Sequence, residues 1–232
     1  MTKNPDHPRI FTATVLGATG LIGSQILKHL QQDDFFTHIR VLSRRPVNIP
    51  GSKADVHVID FTDEEEYRAA ISGSDSVFCA VGTTQKNVGG DKEAYRKVDF
   101  DIPVNAARFC AESGCERFLL VSSVGADSSS SSFYTRLKGE VEDAVRSSGV
   151  HSVSVFRPSI LLGERKESRP GETFGKAVMK TLSFLLPSRI KPVDAADVAA
   201  AMVVAARRVR AGFHVYTYNE IMKLTSELRF AE

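Results

Sequence analysis

Little in this chain points to a membrane, a nucleic acid or an oxidising compartment. Its 232 residues include no tryptophan and only three cysteines, Cys79, Cys110 and Cys115. These cysteines lack the spacing of a disulfide framework or a metal site, which predicts buried, reduced thiols, no bound metal and a cytoplasmic protein. The net charge of +2 gives no reason to expect a nucleic-acid partner. The longest apolar runs, such as residues 198–206, are too short to span a bilayer.

The beginning of the chain also lacks the apolar core of a targeting signal. It carries Pro5, Asp6 and Pro8 instead, so residues 1–9 are expected to form a flexible lead-in. Hydrophobic residues make up 42% of the chain and charged residues 25%, which is ordinary for a soluble globular enzyme. The length suits one large α/β domain or two small ones.

Three glycines, at positions 17, 20 and 23, follow an apolar run at residues 10–16 and open an amphipathic stretch at residues 21–30. The first glycine permits a tight turn, the second lets backbone amides approach a pyrophosphate, and the third lets the helix pack closely on the strand. The helix N-terminus then offers its amides to the phosphates. The pattern predicts a dinucleotide site, although a simple tight turn is the alternative. The residues expected to contact the cofactor here are Gly17, Thr19, Gly20, Leu21, Ile22 and Gly23.

The end of the second predicted strand bears on the choice between NAD and NADP. About twenty residues past the glycine turn, NAD-preferring sites place a carboxylate that accepts from the ribose 2′-OH. This chain has Ser43, Arg44 and Arg45 there, and the next carboxylate is Asp55. A guanidinium suits a 2′-phosphate because its planar fork gives charge-assisted, bidentate contacts. The segment therefore favours NADP(H), with a solvated turn that exposes two arginines as the alternative.

Short apolar runs alternate with amphipathic ones along most of the chain. Continuous apolar strands separated by helices are typical of a parallel sheet covered on both faces, and right-handed crossovers make such a sheet doubly wound. The predicted fold is therefore a doubly wound α/β fold. The predicted strands are 12–16, 39–42, 56–59, 76–81, 117–121 and 152–156. The predicted helices are 21–32, 64–71, 92–112 and 134–148.

The alternation breaks after residue 157. Residues 163–175 are polar and charged, and helical stretches follow at 173–185 and 194–208. We expect residues 157–232 to contribute a small substrate-side lobe built from insertions. That lobe would belong to a single domain spanning residues 1–232.

Two further strand ends carry residues suited to a cofactor. Asp60, followed by Phe61, comes after the third strand and can accept from the exocyclic amine of adenine. It can equally serve as a cap or first-turn acid of the next helix, a role for which Thr62 and Asp63 compete. Small residues after the fourth strand would let an adenine–ribose lie close to the backbone. They are part of the segment Ala80, Val81, Gly82 and Thr83.

A tyrosine and a lysine stand four residues apart in a predicted helix. Tyr134 and Lys138 then share one helix face, one turn from each other. An ammonium near a phenol favours the phenolate, so such a tyrosine can exchange a proton with a substrate oxygen. The same lysine can hold the ribose hydroxyls of the cofactor. An ordinary surface pair is the alternative, because this spacing is common.

Two serines end the fifth predicted strand, about a dozen residues before that tyrosine. Ser122 and Ser123 point to opposite faces if the strand continues through them, so at most one is catalytic. We expect Ser123 to donate to the substrate oxygen and Ser122 to belong to the cofactor site. The serine run 128–132 predicts a solvated loop between this strand and the tyrosine.

Together these motifs resemble the short-chain dehydrogenase/reductase superfamily in its atypical or extended branch. Within it, the chain is similar to the family of the Tat-interacting protein, an NADPH-binding oxidoreductase-like protein. The matching segments are Ser43-Arg44-Arg45, Cys79-Ala80-Val81-Gly82-Thr83-Thr84, Ser122-Ser123-Val124-Gly125-Ala126-Asp127, Lys138-Gly139-Glu140-Val141-Glu142, Val155-Phe156-Arg157-Pro158 and Glu167-Ser168-Arg169-Pro170-Gly171-Glu172.

The resemblance implies a Rossmann fold in which NADPH is held by the glycine turn and by Arg44 or Arg45. It also implies that Arg157 and Pro158 line the nicotinamide side, after the sixth strand. The residues it places at the catalytic positions are Ser123, Tyr134 and Lys138. Two functions follow from these expectations. The first is an NADPH-dependent reductase of a small carbonyl compound, and the alternative is an NADPH-binding regulator with little turnover, acting as a homodimer or with a protein partner.

Overall fold

The computed structural model describes residues 11–163, 187 and 190–229, in which strands and helices alternate. The strands are β1 (Thr12–Leu16), β2 (His38–Ser43), β3 (Ala54–Val58), β4 (Ser76–Cys79), β5 (Arg117–Val121), β6 (Ser152–Phe156), β7 (Leu161–Leu162), β8 (Val193–Asp194) and β9 (Gly212–Tyr216). The α-helices are α1 (Leu21–Gln32), α2 (Glu64–Ile71), α3 (Lys92–Arg96), α4 (Ile102–Glu112), α5 (Phe133–Arg146), α6 (Ala195–Ala206) and α7 (Tyr218–Arg229). A π-helical turn, Lys97–Asp101, joins α3 to α4. None of these helices is long and apolar enough to cross a membrane.

Seven of the described strands form one parallel sheet in the order β3-β2-β1-β4-β5-β6-β9. Leu16 at the end of β1 lies opposite Leu42 of β2 on one side and Cys79 of β4 on the other. The strand order reverses between β1 and β4, and open α/β sheets bind ligands outside the carboxyl ends of the strands at such a switch point. The predicted doubly wound, Rossmann-type fold is confirmed.

Apolar side chains on both faces of the sheet explain why its central strands are buried. β1, β4 and β6 are buried along their whole length. On one face Leu30 of α1 and Met202 of α6 belong to the same apolar cluster. On the other face Tyr67 of α2, Phe109 of α4 and Val141 of α5 belong to a second cluster. Burying one large apolar side chain stabilises a fold by about 1.5–3 kcal/mol, so these two clusters hold the sheet in place.

Most predicted elements are confirmed, and the differences have local causes. β1, α1, α2, β5 and β6 have the predicted bounds. The strand predicted at 76–81 ends at Cys79, because its pairing with β5 stops at Leu120 and the chain then turns past Gly17. The helix predicted at 92–112 contains the π-helical turn, which buries Asp99. A π turn adds about one residue to a helical repeat, and an amphipathic pattern does not reveal it.

The C-terminal part of the chain completes the main sheet. β9 extends the sheet beyond β6, and α6 and α7 pack against each other, with α6 also against α1. The sequence predicted neither β9, which is only partly buried at the sheet edge, nor α7. The helix predicted at 194–208 is present as α6, and the one predicted at 173–185 lies outside the described residues. β7 and β8 form a separate two-stranded ladder.

Gly23→Ala is expected to destabilise the protein by about 1–3 kcal/mol, the range measured for overpacking. The new Cβ would lie 2.1 Å from the carbonyl oxygen of Gly17 and 2.7 Å from its carbonyl carbon. This clash outweighs the gain in helix propensity, about 1 kcal/mol, because both atoms are backbone and cannot rotate away. Urea unfolding followed by circular dichroism measures the difference.

Gly82→Ala is the matched control for that substitution. Its new Cβ would meet Asp99 Oδ1 at 3.6 Å, an ordinary van der Waals contact. We expect its free energy of unfolding to stay within about 0.5 kcal/mol of the unmodified protein. Unchanged stability of the Gly23 variant would contradict the tight packing of α1 on the glycine turn.

Candidate functional site

The turn between β1 and α1 lies directly against the end of β4. Gly17 has a φ of +79°, a conformation that residues with a side chain rarely adopt. A Cβ at Gly17 would lie 2.5 Å from the carbonyl oxygen of Ala80. The carbonyl of Gly17 accepts from the amide of Gly20 at 2.9 Å, which closes the turn. The two loops at the switch point are therefore in backbone contact, which a glycine permits.

The N-terminus of α1 has no side-chain cap. Gly20 is its N-cap residue, and its first turn contains no acidic residue. By contrast, Asp63 and Asp91 cap α2 and α3, each accepting from two backbone amides. The amide of Ser24 bonds to the carbonyl of Gly20 at 3.0 Å, so the amides of residues 21–23 face out of the helix end with its positive dipole. This cradle fits the pyrophosphate of a dinucleotide.

Polar side chains follow β2 and β3 at the same edge of the sheet. Arg44 and Arg45 are exposed, and the Ser43 hydroxyl accepts from the amide of Arg45 at 3.3 Å. Asp60 Oδ1 accepts from the amide and the hydroxyl of Thr62, at 2.8 Å and 2.7 Å. These two hydrogen bonds hold the pKa of Asp60 below its ordinary value, because they favour the ionised carboxyl.

The segment after β3 is tied to the start of α2. Asp63, and not Asp60, provides the N-cap of that helix. The amide of Asp60 donates to Glu66 Oε2 at 2.8 Å. Phe61 packs edge-on against Tyr67, with 4.8 Å between the ring centroids. Asp60 and Phe61 are thus held in place at the carboxyl edge, and their contact with adenine stays a prediction.

The residues after β4 are held by side chains of the neighbouring helix. These residues are Ala80, Val81, Gly82 and Thr83. Asp99 Oδ2 accepts from the amide of Thr83 at 2.7 Å. The Tyr95 hydroxyl donates to the carbonyl of Thr83 at 3.3 Å. Both backbone groups of Thr83 are therefore bound by residues of α3 and the π-helical turn.

Lys138 lies buried on α5, next to the same carboxylate. Its Nζ is 3.1 Å from Asp99 Oδ1, and both residues are buried. Burial opposes the charged ammonium, but the attraction of Asp99 and, to a lesser extent, of Tyr134 outweighs it and raises the pKa of Lys138 above its ordinary value. The lysine is therefore a charged group kept beside the end of β4.

Tyr134 and Ser123 are the accessible members of the predicted catalytic group. Tyr134 is 41% exposed and lies one turn before Lys138 on α5. Ser123 follows β5, is half-buried, and its hydroxyl donates to the carbonyl of Val124 at 3.2 Å. The structure thus brings Tyr134 and Lys138 to one helix face, at the carboxyl edge where β5 ends.

Ser122 and Arg157 share a buried partner, Glu142 of α5. The Ser122 hydroxyl donates to Glu142 Oε1 at 2.5 Å, and Arg157 Nε and Nη2 donate to the same carboxylate at 3.0 Å and 2.5 Å. Glu142 is 2% exposed, so this network fixes α5 to the ends of β5 and β6. Pro158 is buried, and its carbonyl accepts from the amide of Val124 at 3.0 Å. Contacts of Ser122, Arg157 and Pro158 with a cofactor stay predictions.

No sequence motif predicted a role for Tyr95, Asp99 or Glu142. Glu142 stands four residues after Lys138, so its position on the same helix face was a usable signal. Asp99 had no such signal, because Asp101 on the same turn looks identical in the sequence and is exposed. The π-helical turn, rather than any motif, decides which of the two carboxylates is buried.

The strand order, the glycine turn at its switch point and the Tyr-x-x-x-Lys helix define a Rossmann-type nucleotide-binding protein of the short-chain dehydrogenase/reductase kind. Comparison with known families agrees, because a family model described as NAD(P)H-binding matches residues 17–208. The chain belongs to this NAD(P)H-binding family.

Curated relatives confirm the resemblance to the family of the Tat-interacting protein. Protein HTATIP2 of Rattus norvegicus is 37% identical over 171 residues, which cover 72% of this chain and 70% of the relative. Protein FMP52, mitochondrial, of Candida albicans is 34% identical over 193 residues, which cover 79% of this chain and 82% of the relative. The corresponding protein of Aspergillus niger is 35% identical, with 85% of each chain covered.

Solved structures support the fold. MoeE5 in complex with UDP-glucose and NAD superposes with a TM-score of 0.67 at 17% identity, covering 94% of this chain and 81% of that one. A UDP-N-acetylglucosamine 4-epimerase from Methanobrevibacter ruminantium M1 gives a TM-score of 0.69 at 15% identity, covering 96% and 83%. Such low identities establish a shared fold and nothing about substrate.

The prediction of a cytoplasmic protein is wrong by this comparison. The fungal FMP52 relatives are named as mitochondrial proteins. The prediction rested on cysteine usage that indicated reduced thiols and on the lack of a visible targeting pattern. Reduced thiols argue against an oxidising compartment but do not choose among the reducing ones.

Glu142→Gln is expected to lower the free energy of unfolding by about 2 kcal/mol, because hydrogen bonds to a charged group contribute roughly 1.5–3 kcal/mol. The substitution keeps the shape of the side chain and leaves Arg157 without its counter-charge. Urea unfolding at neutral pH measures the loss.

Glu140→Gln, on the same helix, is the control for this network. Glu140 pairs with Arg96 where both side chains are partly exposed, so its loss should cost within about 1 kcal/mol. Equal losses for the two variants would show that the buried network does not hold α5 in place.

Proposed function

We propose that the protein is an NADPH-dependent reductase of a small carbonyl compound. The observation that carries this proposal is the charged, buried Lys138 one helical turn from the accessible Tyr134, at the sheet edge that also holds the glycine turn. An ammonium beside a phenol favours the phenolate form. A tyrosine in that setting can give a proton to a carbonyl oxygen and recover it afterwards.

Each of the three predicted catalytic side chains has a distinct role in this proposal. Tyr134 protonates the substrate oxygen. Ser123 donates a hydrogen bond to the same oxygen and orients the carbonyl. Lys138 stabilises the phenolate and holds ribose hydroxyls with its free N–H donors. The bound cofactor supplies the hydride, and the protein supplies orientation and the proton.

The preference for NADP(H) rests on the end of β2. Arg44 and Arg45 are exposed there, next to the edge where the glycine turn lies, and no carboxylate stands at this position. The planar guanidinium group suits the adenosine 2′-phosphate of NADP(H). NAD(H) lacks this phosphate, so the arginines would have no anionic partner there. A solved structure with this fold holds NAD, so the fold itself does not decide between the cofactors.

Replacing both arginines by alanine is expected to weaken NADPH binding by at least about tenfold, the equivalent of 1.4 kcal/mol, and to leave NADH binding unchanged. Titration of the purified protein, followed by nucleotide fluorescence, measures both affinities. Arg210→Ala is the control. This exposed arginine precedes β9, the outermost strand on the side of the sheet away from β2 and β3. Binding of neither nucleotide by the unmodified protein would overturn the cofactor assignment.

Tyr134→Phe is expected to lower kcat by about 10²–10⁴ on any carbonyl substrate found in a panel of small aldehydes and ketones, because it removes the proton donor. NADPH affinity should stay near that of the unmodified protein, since the hydroxyl acts on the substrate. Full turnover by the variant would exclude Tyr134 as the proton donor. NADPH binding with no turnover by the unmodified protein would favour the alternative, a nucleotide-dependent regulator.

A further inference from the structure

The C-terminal end of α4 is a tight turn closed by two backbone hydrogen bonds. The amide of Cys115 donates to the carbonyl of Cys110 at 2.9 Å, and the amide of Gly114 donates to that of Ala111 at 3.2 Å. Gly114 has a φ of +73°. These features define a Schellman motif, in which the side chains before and after the turn pack against each other. Here both of those side chains carry thiols.

The two thiols share their nearest polar neighbours. Cys110 Sγ lies 3.6 Å from the carbonyl oxygen of Cys115 and 3.8 Å from that of Arg117. Cys115 Sγ lies 3.5 Å from the same Arg117 oxygen. Burial raises the pKa of the Cys110 thiol far above its ordinary value, and a hydrogen bond with the Cys115 thiol raises it further. In this arrangement Cys110 therefore stays protonated at neutral pH, next to a second free thiol.

We infer that Cys110 and Cys115 are a redox modification site, at which a low-molecular-weight disulfide such as oxidised glutathione forms an intrachain disulfide that closes the end of α4. This inference does not depend on the proposed function. Cys115 lies two residues before β5, at the amino edge of the sheet. The glycine turn and Tyr134 lie at the carboxyl edge.

The reaction is thiol–disulfide exchange in two steps. The thiolate of Cys115 attacks one sulfur of oxidised glutathione, which breaks that S–S bond and releases one glutathione thiolate. The Cys110 thiol then gives its proton to solvent and attacks the Cys115 sulfur, which forms the intrachain bond and releases the second glutathione. The pair loses two electrons and two protons, and oxidised glutathione becomes two thiols.

Access to the pair depends on the turn that covers it. Cys115 is 3% exposed and Cys110 is fully buried, but Glu112 and Gly114 between them are exposed. Opening of this single turn therefore uncovers both thiols, and helix ends open at a lower free energy than the core of a protein. Cys115 reacts first, because it lies beyond the helix and closer to the surface.

The third cysteine cannot take the place of Cys110. Cys79 ends β4 opposite Leu120 of β5, whereas Cys115 precedes Arg117 at the start of that strand. The three residues from Arg117 to Leu120 span about 10 Å. A disulfide requires Cα atoms within about 7 Å of each other, so Cys79 cannot bridge to Cys115.

Treatment of the folded protein with oxidised glutathione tests the inference. After unfolding, iodoacetamide should label all three cysteines of the untreated protein and only Cys79 of the treated protein, as counted by mass spectrometry. Cleavage after Glu112, which separates the two cysteines, should leave peptides joined by the disulfide alone.

Variants identify the two partners. Cys79→Ala should form the same bond, whereas Cys110→Ala and Cys115→Ala should form none, so either of these suffices if the other does not fold. Three labelled thiols after prolonged treatment would overturn the inference. A bond to Cys79, a bond between two chains, or glutathione adducts without the intrachain bond would overturn it as well.

Amide hydrogen exchange reads whether the bond closes the helix end. Exchange at the amides of Gly114 and Cys115 should slow by at least about tenfold on oxidation, because the crosslinked turn opens less often. The amide of Ser72, which donates to the carbonyl of Arg68 at the C-terminal end of α2, is the matched control and should not change. Equal exchange in the two redox states, or an equal change at Ser72, would refute the closing of α4.

Discussion

Backbone contact between the glycine turn and the end of β4 is the constraint on which the rest of the site depends. A Cβ at Gly17 would overlap Ala80, and one at Gly23 would overlap Gly17, so turn, helix and strand end meet without side chains between them. Because no side chain fills this space, the backbone amides at the N-terminus of α1 stay open to a ligand at the switch point. A pyrophosphate that binds there lies beside the segment that Asp99 and Tyr95 hold.

Two buried carboxylates then place the chemical groups of α5 relative to that cradle. Asp99 forms an ion pair with Lys138 of α5. Glu142, one helical turn after Lys138 on α5, binds Arg157 and Ser122. Each acid satisfies partners from two or more elements, so the helix cannot slide along the sheet without breaking charged hydrogen bonds. Tyr134, at the start of the same helix, is exposed, whereas Lys138 and Glu142 further along the helix are buried.

The fold and the glycine turn could be predicted from the sequence, because glycine spacing and apolar periodicity are local signals. Strands such as Thr12–Leu16 and helices such as Leu21–Gln32 therefore have their predicted bounds. The buried polar network could not be predicted in the same way. Asp99 and Asp101 lie on the same π-helical turn, and only Asp99 faces the interior. Which of the two carboxylates is buried depends on the partners Lys138 and Thr83, which lie elsewhere in the chain. The weakly apolar edge strand Gly212–Tyr216 was missed because only its tertiary partner, β6, identifies it.

A crystal structure of the protein with bound NADPH tests the central claim most directly. We expect the pyrophosphate at the amides of residues 21–23, the 2′-phosphate against Arg44 or Arg45, and a ribose within hydrogen-bond distance of Lys138 Nζ while Asp99 keeps its contact with the lysine. A nucleotide bound away from the glycine turn, or a ribose that does not reach Lys138, would contradict it.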